Sequence, residues 1–146
     1  MYQKILVPLD GSERAEAILP HVEAVALRFT ASVLLIQVVE APAILSNPYD
    51  MTPQTHLESY QLQLDEVKDY LHNQQQRLQE KGITAEVKVV EGPTVAMIIE
   101  TAVLESADLI AMASHGRSGL SRVFYGSVAA GVLHQIDRPL LLIRSQ

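Results

Sequence analysis

The chain has 146 residues, no cysteine and a formal net charge of −6. This length is typical of one domain, so we expect a single domain over residues 1–146. The lack of cysteine excludes disulfides, thiolate metal sites and thiol catalysis, and the acidic charge with scattered Lys and Arg argues against general nucleic-acid binding.

The first elements read as strand, helix, strand. The apolar run at residues 4–9 stops at Asp10, which predicts a buried strand followed by a turn. After Ser12, a good N-cap, apolar residues recur every three or four positions, and Pro20 predicts a kink or a late helix start. Residues 32–39 are almost wholly apolar, which predicts a parallel strand covered on both faces near the middle of the sheet.

The central part of the chain contains a loop, a helix and an edge strand. Residues 40–53 carry three prolines without periodicity, so we expect a loop that acts as a flap. A long polar helix follows up to residue 81, and alternation over residues 83–89 predicts an edge strand with one solvated face. Pro93 marks the start of another helix. One face of the long helix is expected to pack on the core through Leu57, Tyr60, Leu64, Val67, Leu71 and Leu78.

The last part predicts a strand at residues 108–113, a polar connection over 114–125, a helix from Gly126 and a final strand at Leu140 to Ile143. Such alternation predicts an α/β fold with a doubly wound parallel sheet and helices on both faces. Four consecutive large aliphatic residues on a terminal strand would leave an edge that needs cover. We therefore expect a homodimer through this strand.

Two loops are expected to meet at the carboxyl edge of the sheet, one starting at Asp10 and one over residues 113–127. Glycines in the second loop let the backbone approach a phosphate, and the following helix offers free N–H groups. Ser127 adds a hydroxyl, while Arg117 and Arg122 add positive charge. These features predict a phosphate cradle, although glycines that only shape a turn explain the pattern equally well at this point.

Three stretches resemble the universal stress protein family, and together they cover essentially the whole chain. They are residues 4–12, residues 107–119, and Gly126-Ser127-Val128 with the later Arg138-Pro139. The ATP-binding members share a motif of Gly, two residues, Gly, nine residues, then Gly with Ser or Thr. This sequence matches the motif at Gly116 and at Gly126-Ser127, but has Ala113 at the first position, where an added methyl or a need for positive φ would weaken binding.

The resemblance implies a five-stranded sheet of order 3-2-1-4-5, similar to the adenine nucleotide α-hydrolases, and an ATP site. In that site Asp10 would face the ribose or phosphates, the backbone of Val38 would meet the adenine, and Ser127 is the side chain most expected at the phosphates. Mg²⁺ would arrive with the nucleotide, held mainly by phosphate oxygens. The residues implied to bind are Pro8, Asp10, Ser12, Val38, Met112, Ala113, His115, Gly116, Arg117, Gly126, Ser127 and Val128.

The expected function is that of a cytoplasmic, ATP-binding regulator of the stress response with at most slow hydrolysis. No Walker lysine and no Gly-x-Ser-x-Gly elbow are present, and no apolar run approaches a membrane span. The alternative is a family member that binds no nucleotide and works as a dimeric interaction module, for which Ala113 is the support. A phosphoacceptor receiver domain fits poorly, since Asp10 is the lone carboxylate of its turn. An enzyme related to the ATP pyrophosphatases also fits poorly, because the glycine-serine loop of those enzymes is missing.

Overall fold

The computed structural model describes residues 1–40, 53–115 and 126–145. The strands are β1 (Lys4–Pro8), β2 (Ser32–Val39), β3 (Ala85–Glu91), β4 (Leu109–Ala113) and β5 (Leu140–Ile143). The helices in the described residues are α1 (Glu13–Glu16), α2 (Leu19–Phe29), α3 (Pro53–Glu80), α4 (Thr94–Leu104) and α5 (Ser127–Gln135).

The five strands form one parallel sheet in the order β3-β2-β1-β4-β5, as predicted. From β1 the chain moves outward through β2 to β3, then returns to the other side of β1 for β4 and β5. The strand order therefore reverses between β1 and β4. In open α/β sheets the crevice beyond the carboxyl ends at such a point is where ligands bind.

Side chains of successive strand residues alternate between two hydrophobic cores. On one face, Val7 and Leu35 belong to the core that also contains residues of α2 and α3. On the other face, Leu6 and Ile36 belong to the core that contains residues of α4 and α5. The central strands are thus covered on both sides, which explains why their sequences are almost continuously apolar.

Pro20 lies in the first turn of α2, where its missing N–H removes no helical hydrogen bond. The helical pattern after Ser12 is accordingly split into a short α1 and a longer α2, so the predicted late start is confirmed. Thr30 ends α2 in the left-handed conformation with φ of 53°, and its N–H donates to the Ala26 carbonyl.

Two details differ from the sequence-based expectations. β3 runs over Ala85–Glu91 rather than 83–89, because it pairs with β2 along its whole length up to Val39. Leu57 is 55% exposed, so the apolar stripe of α3 reaches the core only from Tyr60 onward.

The flap predicted at 40–53 lies, apart from its ends, outside the described residues. Within the described part of the chain, no helix is long and apolar enough to span a membrane.

Candidate functional site

A cavity of about 240 Å³ opens at the carboxyl edge of the sheet, where the strand order reverses. Its volume lies just below the range of roughly 300–1,000 Å³ that is usual for small-molecule sites. The described residues that line it are Pro8, Leu9, Asp10, Ala15, Val38, Thr94, Ile98, Met112, Ala113, Ser114, His115, Gly126, Ser127, Val128 and Ala129.

One end of this cavity is formed by the N-terminus of α5. Gly126 is the N-cap and supplies no side chain to bond the first helical N–H groups. Helical geometry leaves the N–H groups of Ser127, Val128 and Ala129 without a carbonyl partner inside the helix. Ser127 also brings a hydroxyl to the cavity wall. These donors, together with the positive end of the helix dipole, make this end suited to an anion.

Gly126 lets the start of α5 approach the end of β4 closely. Its N–H donates to the Ser114 carbonyl at 2.8 Å, and a Cβ at this position would lie 2.7 Å from that oxygen. The backbone of Gly126 has φ of −55°, a value open to any residue. Glycine is therefore required here by space and not by backbone conformation.

His115 lines the cavity and has a buried ring nitrogen that bonds none of the described residues. Its Nδ1 lies 3.0 Å from the Ser114 hydroxyl, while Nε2 has no hydrogen-bond partner among the described residues. The Ser145 hydroxyl donates to the His115 carbonyl at 3.2 Å and helps to hold the backbone. Buried polar groups in proteins are nearly always paired, so Nε2 is a candidate group for a hydrogen bond to a ligand.

Asp10 lines the cavity, and Ser12 holds it in place. The backbone N–H and the hydroxyl of Ser12 donate to Asp10 Oδ1 at 2.9 and 2.5 Å. The Ser12 oxygen in turn accepts from the N–H of Ala15 and caps α1. Ser12 itself is not one of the described lining residues, so its place in the site is indirect.

The short helix α1 follows the loop that carries Asp10, and α3 contacts it on the side away from the cavity. The Tyr70 hydroxyl donates to Glu16 Oε2 at 2.8 Å. Burial raises the pKa of Tyr70 most, and the hydrogen bond to Glu16 raises it further. The phenol therefore keeps the proton that it donates. The loop that carries Asp10 is thereby supported by a contact outside the cavity.

The opposite end of the cavity is more apolar and lies at the end of β2. The Ile36 carbonyl accepts from the Leu9 N–H at 2.8 Å. In a strand, the backbone N–H and C=O groups of every second residue point to the same side. The groups of Val38 therefore point to the same side as those of Ile36, but they lie beyond the end of β1. Ile98 and Thr94 line this end of the cavity from α4.

Ala113, which replaces the first motif glycine, has ordinary strand geometry. It pairs with Ile143 in the sheet, is 7% exposed and does not have a positive φ. The Ser114 N–H continues the ladder by donating to the Ile143 carbonyl at 2.7 Å. The replacement therefore introduces no backbone strain, and its consequence is limited to one methyl group at the wall.

The structure brings most of the predicted site residues to one cavity. Those that line it are Pro8, Asp10, Val38, Met112, Ala113, His115, Gly126, Ser127 and Val128. Gly116 and Arg117 lie outside the described residues. Sequence reasoning missed Thr94 and Ile98, although the start of a helix after a parallel strand always lies near the carboxyl edge, and Gly92-Pro93 marked that start.

The model of the universal stress protein family matches residues 1–144 of this sequence. The chain therefore belongs to the universal stress protein family, as its motifs predicted. Among curated relatives, universal stress protein MJ0531 of Methanocaldococcus jannaschii is 30% identical over 144 residues, which are 99% of this chain and 83% of that protein.

Solved structures share the fold over nearly the whole chain. The MJ0577 protein of Methanocaldococcus jannaschii is similar with a TM-score of 0.87 and 30% identity, covering 100% of this chain and 98% of that one. A universal stress protein in complex with cAMP has a TM-score of 0.72 at 20% identity, with 99% and 98% covered. One from Archaeoglobus fulgidus in complex with dAMP has a TM-score of 0.67 at 18% identity, with 97% and 98% covered.

Proposed function

We propose that this chain is an ATP-binding universal stress protein that acts as a nucleotide-dependent regulator with at most slow hydrolysis. The observation that carries the proposal is the start of α5, which no side chain of the described residues is seen to cap, at one end of a cavity whose other end is largely apolar. The start of α5 is suited to an anion, and the apolar end is suited to a flat base. A nucleotide contains both groups.

The layout of the strands orients the nucleotide. β2 and β4 are separated by β1, so their carboxyl ends lie about 10 Å apart. The phosphates would lie at Ser127 and His115, near the end of β4, and the base at Val38 and Ile98, near the end of β2. The ribose would then lie between them, within reach of Asp10.

The relatives add support at the level of the fold. Two solved universal stress proteins with this fold hold adenine nucleotides with one phosphate, cAMP in one and dAMP in the other. The argument for a triphosphate comes from this sequence, in which Gly116 and Gly126-Ser127 keep the nine-residue spacing of the ATP-binding motif. Mg²⁺ would come with the phosphates, since the described residues contain no group of three or more His, Asp or Glu that could hold a metal ion.

Equilibrium binding of labelled ATP tests the proposal. We expect saturable binding by the wild type, and a dissociation constant about tenfold larger for Ser127→Ala, the equivalent of about 1.4 kcal/mol for a lost hydrogen bond to a charged group. Ser32→Ala is the matched control, because the Ser32 hydroxyl bonds the Gln3 carbonyl at the opposite edge of the sheet. Its affinity for ATP should equal that of the wild type.

Ala113→Gly separates the proposal from its alternative. Because Ala113 carries no backbone strain, we expect this variant to change the affinity for ATP by less than about threefold, which is about 0.6 kcal/mol. If neither the wild type nor Ala113→Gly saturates at millimolar ATP, the chain is instead an interaction module that binds no nucleotide.

We also propose a homodimer formed through β5. Within the described residues this strand pairs with β4 alone, and all four of its large aliphatic residues are only partly buried. A second copy that pairs at this edge would cover the side chains and satisfy the outward backbone groups. The cytoplasmic location expected from the sequence stays a prediction, to be tested by cell fractionation.

A further inference from the structure

Thr94 is the polar residue that lines the otherwise apolar end of the cavity, and it is bonded by the exposed Glu40 next to the cavity. Thr94 is the first residue of α4 and lines the cavity, and its hydroxyl donates to Glu40 Oε1 at 3.1 Å. The backbone N–H of Thr94 donates to the same oxygen at 3.4 Å. Since the N-cap residue Pro93 supplies no capping side chain, the Glu40 carboxylate from the end of β2 takes that role and is held there by the helix terminus.

This contact determines which hydrogen bonds Thr94 can offer to a ligand. A carboxylate accepts but does not donate, so the hydroxyl proton of Thr94 must point to Glu40. A threonine hydroxyl has only one proton and two lone pairs. Toward any group inside the cavity, the Thr94 oxygen is therefore an acceptor.

We propose that Thr94, positioned by Glu40, selects purines with an amino group at C6 over purines with an oxo group there. An amino group donates to the Thr94 oxygen, whereas an oxo group would face it with a second acceptor and leave both unpaired. The inference rests on the proposed nucleotide site and adds to it a residue that reads the base. Glu40 acts through Thr94 and is a positioning residue.

The two side chains make different contributions, and this difference can be measured. Thr94→Val keeps the shape of the side chain but removes the acceptor, so it should weaken binding of the amino purine. Glu40→Ala leaves the hydroxyl but frees it to rotate, so that it can donate to an oxo group. The first variant should lose ATP affinity, and the second should gain affinity for the oxo analogue.

Isothermal titration with ATP and with ITP, its 6-oxo analogue, tests the inference on the full chain. We expect the wild type to prefer ATP by about tenfold or more. Because ITP also carries a proton on N1, the part of this preference that is due to Thr94 is measured by the variants. Thr94→Val should reduce the preference to about threefold or less through weaker ATP binding, and Glu40→Ala should reduce it through tighter ITP binding. Thr84→Val, an exposed threonine before β3 at the other edge of the sheet, is the control and should keep the wild-type preference.

The outcomes distinguish this inference from the proposed function. The inference is wrong, while the nucleotide site stands, if the wild type binds ATP and ITP equally. It is also wrong if both variants bind ATP and prefer it over ITP as strongly as the wild type does. If the wild type binds neither nucleotide, the proposed function fails and the inference fails with it. Circular dichroism of each variant confirms that the altered chains are folded.

Discussion

The junction between β4 and α5 depends on one residue without a side chain. The Gly126 N–H bonds the Ser114 carbonyl, and the two segments approach so closely that a methyl group would overlap that oxygen. The same junction presents the start of α5 to the cavity. A change at Gly126 should therefore act on stability and on ligand binding together.

Gly126→Ala should lower the free energy of unfolding by about 1–3 kcal/mol, because the added methyl forces α5 away from β4. It should also weaken ATP binding by more than about tenfold, since the helix N–H groups move with α5. Urea unfolding and labelled-ATP binding measure the two effects. Gly82→Ala is the control: Gly82 has φ of 81° and open space around it, so this variant should lose stability without losing affinity. Unchanged ATP binding by Gly126→Ala would contradict the prediction.

At the scale of elements, Arg138 connects α4 to the start of β5. Its Nη1 donates to the carbonyls of Ala102 and Ala107, at 3.0 and 2.8 Å, and so bonds the end of α4 and the turn that follows it. Its Nε donates to Asp137, and this bond lowers the pKa of that exposed carboxyl. The carbonyl contacts are part-buried, whereas the Asp137 side chain is 71% exposed.

Arg138→Met should lower the free energy of unfolding by about 1–3 kcal/mol, because it leaves two carbonyls without their charged donor. Asp137→Asn should change it much less, since exposed ion pairs contribute little. Chemical denaturation of both variants beside the wild type makes the comparison. Equal stability of Arg138→Met and the wild type would show that solvent replaces the guanidinium at these carbonyls.

The elements themselves were largely predictable from local patterns. Continuous apolar runs identified the buried strands, and Pro20 identified the late start of α2. The misplaced ends of β3 and the exposure of Leu57 have a common cause. A strand end is set by how far its neighbour extends, and a helix stripe is buried only as far as the sheet beneath it reaches. Neither quantity is encoded within the segment itself.

At the scale of the whole molecule, β5 is the last strand of the sheet formed by the described residues, and its outer edge has no strand partner among them. The carbonyls of Pro139 and Ile143 accept from Ile110 and Ser114, so every second residue of this strand faces β4. The backbone groups of Leu140 and Leu142 point the other way, toward the outer edge. Pairing with a second copy would use those outward groups.

Leu142→Pro tests the homodimer, because proline removes an outward N–H but none of the hydrogen bonds to β4. We expect the wild type to be a dimer at micromolar concentration by size-exclusion chromatography with light scattering. Leu142→Pro should weaken the dimer by more than about tenfold. Leu142→Ala also loses the large side chain but keeps the N–H, and should weaken it less. A wild type that elutes as a monomer at this concentration would overturn the proposal.

The sequence by itself determined the alternation of strands and helices, the family and most of the residues at the cavity wall. Periodicity and motif spacing are properties of neighbouring residues, so they can be read without knowing the fold. Only the tertiary structure decided that Thr94 meets Glu40, that Gly126 touches Ser114 and that Ser12 holds Asp10. These contacts depend on how distant segments pack and on side-chain directions at the ends of strands, and no local pattern specifies either of them.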